Sequence, residues 1–230
     1  MIDYSKRAFI FDMDGTLVDN MRFHGAAWQK MLFENGIEAD ANDFLVKTAG
    51  KTNREIIPEF FKDATEERLL ELGLRKETIY RELFLPERRA IIGAIEFLSE
   101  AKSLGVKMAV ATAAPIANME FVLDGLDLRR FFDAITTAAD VSHGKPNPEV
   151  FLKSADKLSV EPKHCLVFED AINGFEAAHR AKMKSIGIAT VNSIEDILKL
   201  DSVVEAQKDF GVLKPQELIE RYLPFENYAK

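Results

Sequence analysis

The 230-residue sequence predicts an α/β fold, a parallel-sheet core interrupted by an all-helical insertion. Three observations predict it. Short apolar runs alternate with longer amphipathic stretches, the pattern of strands joined by helical crossovers. Most of those runs are apolar at consecutive positions, as in strands covered on both faces. One interval, 20–86, shows helical spacing with no strand, and is too long for a simple crossover.

Taken in order, the strands are read at 8–11, 108–111, 134–136, 165–168, 185–189 and 202–206. Helices are read near 94–103, 117–125, 148–158, 174–181 and 215–222, with Gly125 as the C-cap of the second. Within the insertion, Phe23, Ala27, Trp28, Met31 and Leu32 form one helical stripe that Gly36 stops. The segment 65–85 is a second long amphipathic stretch. The expected division is a discontinuous core, 1–19 with 87–230, and a helical cap over 20–86. Hinges are expected near 18–20 and 86–93.

Apolar residues make up 47% and charged residues 30%, the balance of an ordinary soluble globular chain. Thirty Lys and Arg against 38 Asp and Glu leave a net charge of −8, which offers no general attraction to nucleic acid or an anionic membrane. No apolar run approaches the ~18 residues of a membrane-spanning helix. The run after Lys6 and Arg7 ends at Asp12, too short for the core of a signal peptide. The single cysteine, Cys165, has no intramolecular disulfide partner, which suits a reducing compartment. The expectation is a cytoplasmic protein that acts on a small molecule, with neither nucleic acid nor membrane as partner; the sequence leaves the oligomeric state open, with a monomer favoured.

Ligands of open α/β sheets bind beyond the carboxyl ends of the strands. Asp12-Met13-Asp14-Gly15-Thr16 follows the first strand, Thr112 the second, and Glu169-Asp170 the fourth. Lys145 lies in Gly144-Lys145-Pro146-Asn147-Pro148, just before a helix. Each alone has an ordinary explanation, as a turn, a helix cap or a solvated lysine. In this order and at these strand ends they bring four carboxylates, a hydroxyl and an ammonium toward one edge. Repulsion would keep some of those carboxylates protonated unless a divalent cation screens them, and an all-oxygen set suits Mg²⁺ rather than Zn²⁺. Such a site can form an aspartyl phosphate on a metal-bound carboxylate. Asp14 can protonate the leaving oxygen and then deprotonate water, while Lys145, the Thr112 hydroxyl and loop N–H groups neutralise the phosphoryl oxygens. Gly15 permits the tight turn between the two aspartates.

The set Asp12-Met13-Asp14-Gly15-Thr16-Leu17, Thr112, Lys145 and Glu169-Asp170 resembles the four motifs of the haloacid dehalogenase superfamily of phosphotransferases, over essentially the whole chain. The insertion resembles the cap of its β-phosphoglucomutase-like branch. Asp19-Asn20-Met21-Arg22-Phe23-His24, with Trp28 beyond it, is similar to that cap's entry. The resemblance implies a Rossmann-like parallel-sheet core with an inserted all-α cap. It implies Asp12 as nucleophile, Asp14 as general acid/base, and Mg²⁺ held by Asp12, the Asp14 carbonyl and Asp170 with Glu169 close by.

In the cap the resemblance implies substrate contacts from His24, Trp28, Gly50, Lys51, Arg54 and Lys76. Gly50-Lys51-Thr52-Asn53-Arg54 is similar to a segment in which a Gly precedes a phosphate-binding Arg. The Arg comes one position late here, so Arg54 or Lys51 takes that role. Arg75-Lys76 matches a basic pair whose Lys faces the substrate. One departure matters. After the second strand the branch's mutase carries a Ser-Lys-Asn cluster for a distal phosphate, whereas this chain has Ala113-Ala114-Pro115-Ile116. Only Ala113 is kept there as a substrate-side residue. The expected function is therefore a Mg²⁺-dependent phosphatase of a small phosphorylated metabolite, foremost a sugar phosphate. A sugar-phosphate mutase is the alternative, and an inorganic pyrophosphatase the third reading. A dehalogenase does without the Asp14 and Mg²⁺ machinery, and a signalling receiver carries its acidic pair and phosphorylated Asp in the opposite order.

Overall fold

The computed structural model describes residues 3–38 and 51–225. Strands β1 (Ala8–Phe11), β2 (Lys107–Ala111), β3 (Ala134–Thr136), β4 (Cys165–Glu169), β5 (Lys184–Ile188) and β6 (Val203–Gln207) form one parallel sheet in the order β3-β2-β1-β4-β5-β6. The core is Rossmann-like. Its order reverses at β1, so the carboxyl ends of β1, β2 and β4 adjoin at the switch point.

Side chains of a strand alternate between faces, and β1 shows why both of its faces are apolar. Phe9 and Phe11 join Phe97, Phe168 and Phe210 on one side, while Ala8 and Ile10 pack with Val150, Phe151 and Ala177 on the other. The Phe11 and Phe168 rings stack 4.5 Å apart and tie together the two strands whose ends carry Asp12 and Glu169. Truncating Phe168 to Ala would cost about 3–5 kcal/mol and loosen that pairing.

Helices α1 (Met21–Glu34), α2 (Asn53–Phe60) and α3 (Glu66–Phe84) lie between β1 and β2. The expected stripe on α1 buries Ala27, Trp28, Met31 and Leu32, and Phe23 is half-buried. Gly36 follows with φ +77°, the left-handed backbone that ends the helix without Cβ strain. α2 has no counterpart among the expected helices. It has only eight residues, with Pro58 inside, and it starts from a capping box between Thr52 and Glu55. The two connections to the sheet run side by side: Val18 bridges antiparallel to Ala90, and Ile91 N–H donates to Leu17 O at 2.9 Å.

The remaining α-helices among the described residues are α4 (Ala94–Ser103), α5 (Ile116–Leu123), α6 (Glu149–Leu158), α7 (Ile172–Arg180), α8 (Ile194–Ile197) and α9 (Pro215–Tyr222). α5 corrects one expectation. It starts after Pro115 and stops at Leu123, and the left-handed residue beyond it is Asp127 (φ 54°), not Gly125. Gly125 serves another need. The Arg88 guanidinium crosses it to donate to Phe121 O at 2.8 Å, and a Cβ there would collide with that guanidinium. Among the described residues no helix is long and apolar enough to cross a membrane.

Candidate active site

The register sets Phe11 beside Val110 and Phe168, so β1, β2 and β4 end together. Asp12 N–H donates to Phe168 O at 2.9 Å, and Thr112 N–H donates to Thr136 O at 2.9 Å. These bonds fix where both side chains leave the sheet. β4 continues through Glu169, and Asp170 comes next, ahead of α7.

Lys145, only 2% exposed, joins the carboxylates. Its ammonium donates to Asp12 Oδ1 and, at 2.6 Å, to Glu169 Oε1, and it lies 5.0 Å from the centre of the Phe151 ring. Burial opposes the charge on Lys145, but the Asp12 and Glu169 carboxylates outweigh it and hold the ammonium above the ordinary lysine value. Glu169 has both oxygens engaged. Its Oε2 accepts from Asp170 N–H at 2.7 Å and Ala171 N–H at 2.9 Å.

Asp170 is the unsatisfied member. Oδ1 accepts from Thr16 Oγ1 at 3.3 Å, while Oδ2 is buried with no hydrogen-bond partner. Burial first, then the charges of Glu169 and Asp12, raise its pKa well above the carboxylate range. Asp12 is raised likewise, by burial and by Glu169 and Asp14 against the pull of Lys145. Carboxylate oxygens of Asp12, Glu169 and Asp170 lie within 4.8 Å of one another. A buried all-oxygen cluster with an orphaned oxygen and one ammonium fits a hard divalent cation, which would return the raised carboxylates to their charged forms. Gly15 (φ +85°) belongs to this cluster too. A Cβ there would run into the Asp170 carboxylate, so only glycine lets the Asp14 loop pass so close.

Asp14 sits two residues beyond Asp12, partly exposed to the cavity. Asn20 Nδ2 donates to its Oδ1 at 2.5 Å, and Asn20 Oδ1 accepts from Gly15 N–H at 3.1 Å. The same amide lies 2.6 Å from the Tyr80 hydroxyl, reached from α3. Neither Asn20 nor Tyr80 was foreseen as a site residue. Asn20 was legible only as part of the hinge and cap-entry segment before α1; its partners come from the loop and from a helix 60 residues on.

α1 and α3 supply the opposite wall. His24 stacks on Tyr80 with ring centres 3.8 Å apart, and its Nε2 lies 3.6 Å from Asp14 Oδ1. Lys76 Nζ is 2.9 Å from His24 Nδ1, 3.0 Å from Glu77 Oε1 and 5.0 Å from the centre of the Trp28 ring. Buried Glu77 also accepts from Asn53 Nδ2 at 2.7 Å and from Asn118 Nδ2 of α5 at 2.5 Å. Burial opposes its ionisation, but Lys76 and then His24, with the Asn53 amide, win and take its pKa to about 2. Glu77, Asn53 and Asn118 are further residues that the motifs did not single out.

The cavity between the strand ends and the helices has a volume of about 90 Å³. From the sheet side it is lined by Asp12, Asp14, Thr112, Ala113, Lys145, Glu169 and Asp170. From the helical side come His24, Trp28, Lys51 and Lys76. Thr112 Oγ1 accepts from Ala114 N–H at 3.0 Å, which shapes the loop beyond β2. Arg54 is a correction. α2 turns Asn53, Ile56 and Ile57 inward, so Arg54, about 100° further around the helix than Asn53, is exposed and outside the lining. Gly50 lies outside the described residues.

A chain of this geometry has relatives. It is 30% identical to a phosphorylated carbohydrates phosphatase of Thermotoga maritima over 92% of this chain and 96% of that protein. It is 27% identical to the chloroplastic 5-amino-6-(5-phospho-D-ribitylamino)uracil phosphatase of Arabidopsis thaliana, covering 92% of this chain but spanning only 57% of that protein. The crystal structure of a β-phosphoglucomutase from Clostridium difficile superposes with a TM-score of 0.82 at 31% identity, over 94% of this chain and 97% of that one. The model of the haloacid dehalogenase-like hydrolases matches residues 6–182, and the chain belongs to that family.

Proposed function

We propose that this chain is a Mg²⁺-dependent phosphomonoesterase of a small phosphorylated metabolite, foremost a sugar phosphate. The observation that carries the reading is the buried Asp12–Lys145–Glu169–Asp170 cluster with Asp14 beside it on the same cavity. The named activities of the Thermotoga and Arabidopsis relatives support it.

Asp12 and Asp170 are the side chains suited to hold the cation, with the Asp14 carbonyl as the further donor that the family resemblance implies. Glu169, whose oxygens are already engaged, anchors Lys145. When bound, the cation supplies positive charge that keeps Asp12 ionised and offsets the charge of the phosphate.

Asp12 Oδ attacks phosphorus, the ester P–O bond breaks, and the leaving oxygen takes a proton from Asp14. Asp14 then takes a proton from water as that oxygen attacks the aspartyl phosphate. The Asp12 acyl-phosphate P–O bond breaks and inorganic phosphate leaves. Lys145 balances charge on the transferring group throughout. Asn20 and His24 hold Asp14 beside the reacting oxygen.

We assign 20–86 to a cap and 1–19 with 87–230 to the core. The packing of α1 along α3 and the paired connections at Val18 and Ala90 support that division. A cytoplasmic location is in keeping with the single, buried Cys165.

The likeness to the β-phosphoglucomutase favours a second reading, a sugar-phosphate mutase. A phosphate-release screen over phosphorylated metabolites, run beside an isomerisation assay on β-glucose 1-phosphate, separates the two. Free phosphate with its alcohol supports the phosphatase; isomerised sugar phosphate without net release supports the mutase. Neither product from any ester would sink both.

A further inference from the structure

The loop after β5, residues 189–193, lies outside the four motifs, yet it holds the backbone of two of them. β5 runs beside β4 with Gly187 opposite Glu169, so the chain leaves the sheet next to Asp170. Both ends of the loop are fixed. Ala189 N–H donates to Gln207 O of β6 at 2.8 Å, and the Ser193 hydroxyl caps α8 by accepting from Asp196 N–H at 3.1 Å. Between these anchors two half-buried side chains reach inward. Thr190 Oγ1 donates to Gly15 O at 2.6 Å, and Asn192 Nδ2 donates to Asp170 O at 2.8 Å.

Gly15 and Asp170 meet where the turn after β1 passes the end of β4. A Cβ on Gly15 would run into the Asp170 carboxylate, and the nearest atom would be Oδ2, the oxygen without a partner. The peptide group before Gly15 carries the Asp14 carbonyl. Its N–H donates to Val18 O at 2.8 Å and to Asn20 Oδ1 at 3.1 Å. A peptide group is planar, so those bonds orient the carbonyl as well. Thr190 holds the peptide group after Gly15, which leads into Thr16, and Thr16 Oγ1 donates to Asp170 Oδ1 at 3.3 Å. Asp170 is tied at its N–H to Glu169, at its carbonyl to Asn192 and at Oδ1 to Thr16, which leaves Oδ2 bare. One loop therefore grips both sides of this approach.

We propose that Thr190 and Asn192 are positioning residues for the divalent cation, setting the spacing between the Asp14–Gly15 turn and the Asp170 carboxylate that lets both serve one small, hard ion. The inference rests on the reading of this cluster as a Mg²⁺ site. Mg²⁺ tolerates little departure from octahedral geometry, so a small shift between its ligands costs affinity. Hydrogen-bond partners that orient metal ligands are worth about ten- to a hundredfold in affinity. Neither side chain lines the cavity, so their effect is on the ion rather than on contacts to the rest of the substrate.

The test is a Mg²⁺ titration of the substrate-free protein, read as the rise in melting temperature, with kinetics at limiting and saturating Mg²⁺ beside it. Thr190→Val and Asn192→Leu each remove one donor at similar volume and should weaken Mg²⁺ binding by about tenfold or more. Thr190→Ser keeps the hydroxyl donor and should bind within about threefold of wild type. Val191→Ala, an exposed change in the same loop, should bind as wild type does. Saturating Mg²⁺ should restore most of kcat to both donor-less variants. Should one of them fail to fold in EDTA, the other decides. Wild-type affinity in both, a loss in Val191→Ala as large as theirs, or a loss of kcat that saturating Mg²⁺ does not recover overturns the inference. The metal reading then stands as long as wild type binds Mg²⁺ and Asp170→Asn does not. A wild-type protein that takes up no Mg²⁺ overturns that reading, and the inference falls with it.

Discussion

Lys76 Nζ lies 2.9 Å from His24 Nδ1, and an ammonium only donates, so Nδ1 is the acceptor. The ring proton then sits on Nε2, the atom that faces Asp14 Oδ1 at 3.6 Å. Through this pair, a lysine on α3 sets the tautomer of a histidine on α1, beside a carboxylate on the loop after β1. The helical insertion therefore reaches the reacting end of the cavity by two routes, the other being Tyr80 through Asn20.

Asp12→Asn keeps the side-chain shape and removes the charge that attacks phosphorus. Turnover should fall by at least ~10³-fold, on the order of 4 kcal/mol. Lys145 retains Glu169 as its partner, so the thermal unfolding midpoint should show a folded protein. Activity within tenfold of wild type, measured by phosphate release, would remove Asp12 from the nucleophile's role.

Mg²⁺ should stabilise the protein without any substrate present. Asp12 and Asp170 are raised by burial and mutual repulsion, and a cation that binds only the folded state raises the melting temperature by mass action. EDTA should abolish turnover and Mg²⁺ restore it. Asp170→Asn should lose most of the Mg²⁺-dependent melting shift, read by calorimetry. A shift of wild-type size in that variant would move the metal site elsewhere.

Asn20→Ala deletes the 2.5 Å bond to Asp14 and leaves the buried Tyr80 hydroxyl without its amide. Loss of stability should be about 1–3 kcal/mol. The rate signature is a fall in kcat of roughly tenfold or more with KM little changed, because Asp14 acts only as bonds break. An unchanged kcat in a folded variant would confine Asn20 to a structural role.

Glu77 gives a stability change with a defined sign. Its pKa falls from 4.5 to about 2 on folding, so its contribution is complete above pH 4.5 and is lost as pH falls toward 2. The full contribution is on the order of 3 kcal/mol. Comparing denaturant unfolding of wild type and Glu77→Gln across that window isolates it, since the other acidic groups are shared. The wild-type advantage should shrink on acidification, and a constant difference would refute the assignment.

Arg54→Ala should be nearly silent, with stability within about 0.5 kcal/mol of wild type, as for a solvated surface position. Its kcat/KM should also stay near wild type on both good and poor substrates. A selective rise in KM on one substrate would show that the α2 terminus reaches the cavity during turnover.

The strands were legible because strands buried on both faces must be apolar at successive positions, and a polar residue that ends such a run lies at a sheet edge. Asp12, Thr112, Glu169 and Asp170 stood out on that ground alone. Lys145 was marked by its Pro-rich loop. Local sequence also carried α1, whose stripe at Ala27, Trp28, Met31 and Leu32 is buried as its period requires. It did not carry α2, whose Pro58 and short length break the periodic signal. Gly125 was misleading for a related reason. A glycine is needed equally for a left-handed turn and for a close approach, and Arg88, 37 residues earlier, decides which.

The helical wall of the site belongs to a different order of information. Glu77, Asn118, Asn53 and Tyr80 are unremarkable in sequence, being polar or aromatic residues on helices where such residues are common. Their roles arise because α3 lies over the strand ends, bringing Glu77 to Asn118 and Tyr80 to Asn20 across 41 and 60 residues. The same placement puts Lys51 in the cavity lining and leaves Arg54 outside it. Residues at the reacting end are marked one by one in the sequence, because each follows the end of an apolar strand or sits in a Pro-rich loop, although the sheet is what brings them together. Charge balance at the far end depends on which helices meet, and that is settled only by tertiary packing.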